Sequence, residues 1–275
     1  MVSFFIIQTL DLKFDHNIVG SFSTMNRADD QFVRELVASG EDMTNKYAFS
    51  EFYDWDCQKN MPKDSIPVGL QKCKDLKIPN VILEVDLANI PEDTEFGHAE
   101  RCRLFEERFA WIKENLTHER RILINLRDLP TAIIKCTTRA FQTIEFLSKY
   151  RPQIFAIITE EPSGKYFPEQ LGNMTKCCTE MMRSHGYTGH FLVHIHQQWG
   201  MHNAGNLECL ANGATGIWCS VSEEGAALGH ASSCLTIMNL IRLGNRKVLK
   251  RYNCKNLRKA AQNITEVNIY NNHIG

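Results

Sequence analysis

The heptapeptide HIHQQWG, residues 194–200, places two histidines around one isoleucine at the end of the apolar run FLVHIH. The run alternates as a β-strand does, and residues i and i+2 of a strand point to the same side of the sheet. His194 and His196 therefore share a face, where two imidazole nitrogens can chelate a divalent metal ion. The pattern is also compatible with one packed histidine and one that hydrogen-bonds a backbone carbonyl group.

Carboxylates, imidazoles and one arginine follow several other apolar runs of the chain. In a parallel α/β barrel the active site lies at the carboxyl ends of the strands, so side chains at those ends are expected on one rim. The side chains concerned are Asp11, Asp15, Asp86, Arg127, Asp128, Glu160, Glu161, Glu223, Glu224 and His230. Loops are polar in any protein, and only the concentration of these residues at strand ends indicates a functional rim.

The elements that must position these side chains alternate along the whole chain. The predicted strands are short and nearly continuous in apolar character, which is typical of strands buried on both faces, and they cover residues 3–8, 42–49, 65–70, 80–87, 121–128, 155–159, 190–196 and 216–221. Helical periodicity occupies residues 29–40, 99–116, 137–150, 168–186 and 206–214. Eight strands alternating with helices predict an α/β fold of the (β/α)8 TIM-barrel type, with an open doubly wound sheet as the alternative. The segment 50–80 fits this pattern least well, because most of it reads as loop or irregular helix.

Length and composition limit the possible domain organisation, partners and location of the protein. No Pro-, Gly- or Ser-rich linker divides the 275 residues, which predicts one barrel domain over 1–245 followed by a short helical extension over 246–275. A net charge of −1 argues against a nucleic-acid or membrane partner, and no apolar run reaches the roughly 20 residues of a membrane helix. Ten scattered cysteines without a CxxC pair favour a reduced, intracellular and cytoplasmic location.

The segment HIHQQWGMHNAGNLECLANGATGIWCSVSEEGAALGHASS resembles the last third of the metallolyase TIM-barrel family. That family includes 3-hydroxy-3-methylglutaryl-CoA lyase, isopropylmalate and homocitrate synthases, ketovalerate aldolases and pyruvate carboxyltransferase domains. Gly200 follows the second histidine at the family spacing, and GHAS stands where the family has a Gly-Asn pair. Upstream, IITEEPSGKYFPEQL resembles the sixth-strand segment. The resemblance covers about residues 121–245 and is thin before them.

The resemblance implies a divalent metal site. The family binds its metal through an aspartate after strand one, two histidines after strand seven and often an asparagine after strand eight. Carried over, the ligands are His194, His196, His230 in the asparagine position, and Asp11, with Asp15 as the alternative aspartate. Such a set suits Mg, Mn or Zn, and the sequence does not choose among them.

The chain departs from the family at the end of strand one. The family has an Arg-Asp-Gly turn there, and its arginine stabilises the enolate oxygen formed during carbon–carbon bond chemistry. Leu10 and Phe14 precede the two candidate aspartates here, so that arginine is absent. Arg127, after the predicted fifth strand, either replaces it as a catalytic residue or pairs with Asp128.

Three further residues are candidates for the substrate site. Glu161 takes the place of the family's acidic residue after strand six, where it acts as a general base or holds a metal-bound water; the alternative is an acid at a helix N-terminus. Glu160 precedes it and is assigned to substrate binding. Trp199 is either part of an altered substrate pocket or a core tryptophan.

The function implied by the resemblance is metal-dependent carbon–carbon bond cleavage, or Claisen- or aldol-type condensation. The substrate would be a small 2-oxo or 3-hydroxy acid or its acyl-CoA thioester, and the family implies a homo-oligomer, a dimer. One alternative is a catalytically lapsed barrel that binds metal or metabolite without turnover. A metal-dependent hydrolase is the third interpretation; its HxH pair usually ends the first strand, whereas this pair ends the seventh.

Overall fold

The computed structural model describes residues 11–25, 28–59, 61–90, 97–116, 122–150, 153–225 and 229–272. The predicted first strand, residues 3–8, lies outside them, and so does Leu10. Among the described helices, none is long and apolar enough to cross a membrane. All ten cysteines are free thiols.

Seven strands of the described chain form one parallel sheet in the order β1-β2-β5-β6-β7-β8-β9. Their bounds are β1 (Asn17–Phe22), β2 (Lys46–Glu51), β5 (Asn80–Asp86), β6 (Ile122–Arg127), β7 (Ile154–Glu161), β8 (His190–Ile195) and β9 (Gly216–Ile217). The strands β3 (Trp55–Asp56) and β4 (Met61–Pro62) form a separate antiparallel pair.

Helices separate most of the parallel strands, as the βαβ pattern requires. They are α1 (Ala28–Ala38), α2 (Val68–Asp75), α3 (His98–Asn115), α4 (Leu129–Lys135), α5 (Thr137–Lys149), α6 (Pro168–Ser184), α7 (His202–Ala211), α8 (Ser233–Arg242), α9 (Val248–Arg251) and α10 (Cys254–Asn272). The five predicted helices are present, four of them within about two residues of the predicted start and α7 four residues earlier.

The central strands confirm the strand predictions over 80–87 and 121–128. The side chains of Val81 to Leu83 on β5 and of Ile122 to Leu126 on β6 are buried, as expected for strands of a parallel sheet that is buried on both faces. The parallel register sets Glu84 opposite Asn125 and Asp86 opposite Arg127. Polar side chains thus begin where each apolar run ends.

The predicted strand over residues 65–70 is wrong, because these residues lead into helix α2. Pro67 occupies the N-cap position, and the carboxylate of Asp54 accepts a hydrogen bond from the backbone N–H of Val68 at 3.0 Å. Gly69 allows the helix to approach the sheet, since a Cβ there would lie 2.5 Å from Ser50 Oγ. The cap comes from 14 residues away, so a local apolar pattern could not reveal it.

Strand β1 of the parallel sheet was not predicted, and neither was the short pair β3 and β4. The β1 sequence NIVGSF is interrupted by Gly20, where the pairing with β2 shifts register between Ile18 and Gly20. A strand with a glycine in its interior gives a weak apolar signal.

The chain divides into two compact units. Unit 1 contains the described parts of residues 1–15, 161–175 and 193–275, and unit 2 contains those of 16–160 and 176–192. Part of the core of unit 1 is a cluster of buried side chains, namely Leu12, Val221, Cys234, Ile237, Val248, Leu257, Ala260 and Ile264. Helices α9 and α10 contribute to this core, and the predicted boundary at residue 245 stays a prediction.

Candidate metal centre

Three histidines of unit 1 meet at the end of β8. One ring nitrogen from each of His194, His196 and His230 lies within 4.8 Å of the others, and the Nε2 atoms of His194 and His196 are 3.0 Å apart. His194 and His196 are buried, and His230 is half-buried. The prediction that the HxH pair shares one face is confirmed by this distance.

Backbone hydrogen bonds hold His230 beside the HxH pair. The segment 229–231 lies along the end of β8, where Ala231 N–H donates to the Ile195 carbonyl at 3.1 Å and Gln197 N–H donates to the Gly229 carbonyl at 2.9 Å. His196 and His230 form an antiparallel bridge. The GHAS segment is therefore fixed in register opposite the histidine pair.

Two glycines permit the close packing around His230: Gly225 gives its ring space, and Gly229 lets the neighbouring backbone pass close to Glu223. Gly225 has φ +135°, and a Cβ there would lie 2.3 Å from His230 Nδ1. Gly229 has φ +98°, and a Cβ there would lie 2.0 Å from the carbonyl oxygen of Glu223. Any other residue at either position would be strained and would displace a neighbouring atom.

The His194 ring is oriented as a metal ligand would be. Its Nδ1 lies 3.1 Å from the backbone carbonyl oxygen of Trp218, which can only accept, so Nδ1 carries the proton. The neutral ring then presents the Nε2 lone pair to the other histidines. Metal-bound histidines are held by a hydrogen bond of this kind from the second ring nitrogen. The Trp218 ring packs on the His194 ring with 4.0 Å between centroids.

Glu161 is the last residue of β7, and its carbonyl oxygen accepts from His196 N–H at 2.9 Å. Its Oε1 accepts hydrogen bonds from the N–H and hydroxyl groups of Ser163. Its Oε2 is buried, and no described residue donates a hydrogen bond to it. Helix α6 begins only at Pro168, so the alternative of a helix N-terminal acid is wrong.

Sequence reasoning missed a half-buried network around the buried His202 at the start of α7. His202 Nε2 lies 3.1 Å from Glu223 Oε1, which also accepts from Asn203 Nδ2 at 2.9 Å. Asn203 Oδ1 in turn accepts from Ser232 N–H at 2.9 Å. The network ties α7 to the loop that carries His230. In the sequence, the adjacent polar residues His202 and Asn203 were the signal that could have indicated this network. Their hydrogen-bond partners lie 20 or more residues away, so the local pattern does not identify them.

A second polar cluster occupies the strand ends of unit 2. Asn125 Nδ2 donates to carboxylate oxygens of both Glu160 and Glu84, and Arg127 Nη1 lies 3.2 Å from Glu84 Oε1. Arg127 therefore pairs with Glu84, 43 residues away, and not with Asp128 as one interpretation had it. Burial, with the neighbouring charge of Glu160, raises the pKa of Glu84 to about 7, and Arg127 opposes the rise.

The raised pKa makes stability depend on pH. Folded Glu84 keeps its proton up to about pH 7, whereas a carboxyl with the ordinary pKa of 4.5 loses it earlier, so the folded state binds more protons in between. The free energy of unfolding should therefore fall as the pH rises from about 5 to 7, by on the order of 3 kcal/mol from this group. We expect Glu84→Gln to flatten that fall, measured by urea unfolding across the pH range. An unchanged slope, equal to that of the exposed-site control Glu114→Gln, would contradict the pKa assignment.

The remaining predicted site residues lie as follows. Asp11 is exposed, with φ 42°, and is not one of the three clustered metal-binding side chains. Asp15 accepts from Arg251 at 2.8 Å. Trp199 is 64% exposed, so the core interpretation of Trp199 is wrong. The assignment of Asp11 as a ligand stays a prediction.

The donor set fits a divalent metal ion. Three imidazole nitrogens that converge at coordination range, two of them buried, match the nitrogen ligands of Zn and its first-row neighbours. Mg prefers carboxylate, carbonyl and water oxygens, so this set suits it less. The nitrogen donor set suits Mn less well than Zn and better than Mg.

Comparison with known proteins supports the fold. No family model matches the sequence, and no curated protein matches it significantly. The HMG-CoA lyase of Brucella melitensis is similar in structure, with a TM-score of 0.64 and 14% identity, over 95% of this chain and 88% of that one. An HMG-CoA lyase of Acinetobacter baumannii in complex with coenzyme A and 3-methylmalate is also similar, with a TM-score of 0.67 and 12% identity. The match covers 95% of this chain and 82% of that one.

A third similar structure extends the comparison beyond lyases. The carboxyl transferase domain of Rhizobium etli pyruvate carboxylase, solved with pyruvate and biocytin, gives a TM-score of 0.55 and 12% identity, over 86% of this chain and 36% of that one. At such identities the likeness establishes the fold. It confirms the predicted TIM-barrel class and, at the level of fold, the resemblance to the metallolyase barrels.

Proposed function

We propose that this chain, which has the TIM-barrel fold of the HMG-CoA lyases, is a divalent-metal-dependent enzyme that breaks or forms a carbon–carbon bond. The substrate class is a small 2-oxo or 3-hydroxy acid or its acyl-CoA thioester. The observation that carries the proposal is the convergence of His194, His196 and His230 at the end of β8. A bound divalent cation would stabilise negative charge that develops on a substrate oxygen.

The histidines and Asp11 are the proposed ligands. The Nδ1–H of His194 is held by the Trp218 carbonyl, which directs its Nε2 towards the Nε2 atom of His196. Asp11 would add an oxygen ligand. The nitrogen-rich set favours Zn over Mg, with Mn as the intermediate choice.

Glu161 is the proposed general base. Its Oε1 is held by Ser163, whereas its buried Oε2 receives no hydrogen bond from the described residues and is available to accept a proton. Its backbone carbonyl accepts a hydrogen bond from His196 N–H, which fixes the proposed base beside the strand end that carries the histidine ligands. Arg127 would supply the positive charge that the family arginine provides, while Glu160 and the exposed Trp199 would contact substrate.

Two of the similar structures support the substrate class. One holds coenzyme A and 3-methylmalate, a hydroxy diacid, and another holds pyruvate, a 2-oxo acid. We propose the same class of ligand here and, from the sequence resemblance to the metallolyase family, a homo-oligomeric state.

One observation favours the second candidate, a barrel that binds metal or metabolite without turnover. Arg127 is already paired with Glu84. Part of its charge is thereby neutralised, and a substrate would have to compete for it.

A substrate screen separates the two candidates. Protein loaded with Zn, Mn or Mg in turn should cleave or condense at least one member of a panel of 3-hydroxyacyl-CoA thioesters, hydroxy acids and 2-oxo acids. Release of free CoA thiol or of a new carbonyl group is the measurement. Binding without turnover across the whole panel would support the non-catalytic barrel.

The assignment of His230 as a third ligand leads to a separate prediction about metal affinity. His230→Ala should weaken metal binding by more than the 10–100-fold typical of outer-shell changes, because it removes a ligand. His230→Asn should restore most of it, since the family uses asparagine there. Isothermal titration with Zn measures both, and the exposed His98→Ala is the control. If asparagine proves no better than alanine, the register through GHAS is wrong.

A further inference from the structure

Positive charge is concentrated near the end of the chain. Residues 225–265 contain eight basic side chains and no acidic one, although the whole chain has a net charge of only −1. All eight are exposed: Arg242, Arg246, Lys247, Lys250, Arg251, Lys255, Arg258 and Lys259. In the described chain only Arg251 of these forms an ion pair, with Asp15. The other seven have no ion-pair partner among the described residues.

An apolar groove of unit 1 lies among these charges. It has a volume of about 620 Å³ between α8 and α10. Helix α8 contributes Cys234, Ile237, Met238 and Ile241, which stand at i, i+3, i+4 and i+7 and so form one stripe. Helix α10 contributes Cys254 and Leu257 to the apolar wall and Lys255, Arg258 and Lys259 to a basic rim.

We propose that this groove, the α8–α10 groove, binds an acidic amphipathic helix of a partner protein. Two helices with a recessed apolar stripe between them accept a third helix whose apolar face carries the same i, i+3, i+4, i+7 spacing. Helix α8 has ten residues and is about 15 Å long, which matches roughly three turns of a bound helix. Asp or Glu side chains beside the apolar face of that helix would meet the basic rim.

Charge argues against a second copy of this chain as the occupant. A two-fold interface brings the same patch of each subunit together, so the basic side chains would face each other. Shape argues against a flat anionic membrane. The floor residues Ile237 and Leu257 are 6% and 2% exposed, so a lipid surface could not reach them without entering the groove.

The test uses a displayed library of helical peptides, randomised at the four apolar positions and the flanking positions, selected on the full chain. We expect enriched peptides to carry Asp or Glu beside an i, i+3, i+4, i+7 apolar stripe. Fluorescence anisotropy of an enriched peptide should show at least tenfold weaker binding to Met238→Glu and to the double variant Lys255→Glu/Arg258→Glu. These residues are exposed enough for the variants to fold, which circular dichroism verifies.

Matched controls make the outcome specific. At exposed positions elsewhere, Met25→Glu matches the charge change of Met238→Glu, and the double variant Lys113→Glu/Lys135→Glu matches that of Lys255→Glu/Arg258→Glu; both should leave binding unchanged. Enrichment of basic or uncharged peptides, or equal loss in the controls, overturns the proposal. Sedimentation with phosphatidylserine vesicles that the groove variants abolish would assign the surface to a membrane. Concentration-dependent self-association abolished by the same variants would assign it to a second copy.

Discussion

The double variant His194→Ala/His196→Ala should lose its divalent ion, whereas the wild-type protein should carry about one ion per chain. The expectation follows from the 3.0 Å between the two Nε2 atoms and from the carbonyl of Trp218, which fixes the His194 tautomer. Elemental analysis of protein purified from metal-supplemented medium is the measurement. Zn should be retained in preference to Mg, because the clustered donors are nitrogen.

Thermal unfolding gives a second reading of the same site. An ion present at 100 times its dissociation constant stabilises the folded state by about 2.7 kcal/mol. Adding a chelator should therefore lower the Tm of the wild-type protein and leave that of the double variant unchanged. His194→Gln/His196→Gln serves if the alanine variant folds poorly, and His98→Ala is the surface control. Equal metal content in the wild type and a folded double variant would contradict the assignment of His194 and His196 as metal ligands.

The parts of the fold that follow from local pattern were predictable. Strands β5 and β6 read as uninterrupted apolar runs because each is buried on both faces, and their bounds agree within one residue with the prediction. The shared face of His194 and His196 depends only on the two-residue period of a strand. Neither conclusion requires knowledge of a distant partner.

The errors arose where a distant contact decides the local structure. Residues 65–70 are apolar enough for a strand, but Asp54 caps the backbone there and α2 forms instead. The partner of Arg127 is Glu84, and no spacing rule connects residues 43 apart. His230 was among the polar side chains expected at the strand ends, but its role as a third ligand came only from the resemblance, because its place beside His196 depends on a bridge between segments 34 residues apart.

Arg127→Met should lower turnover by a factor of about 100 to 1,000 while leaving the fold and the metal content intact. Enolate chemistry needs positive charge near the developing oxyanion, and removal of one such donor costs about 2.7–4 kcal/mol in the transition state. The side chain of Arg127 is 46% exposed and, among the described residues, pairs with Glu84, and we propose that it turns from this partner to a bound substrate. Steady-state kinetics on a substrate that the wild type converts is the measurement, and the loss should fall on kcat.

Glu84 offers the means to separate charge stabilisation from simple ion pairing. If Arg127 serves only to neutralise Glu84, its loss raises the pKa of that carboxyl further, and the double variant Arg127→Met/Glu84→Gln should recover wild-type turnover. If Arg127 stabilises the oxyanion, the double variant should stay as slow as Arg127→Met, and Arg127→Lys should recover part of the rate. We expect the second result, because the arginine that the family places after strand one is absent from LDLKFDHN and Arg127 is the proposed replacement for its charge. A neutral Arg127→Met in an active enzyme would show that the charge comes from another residue.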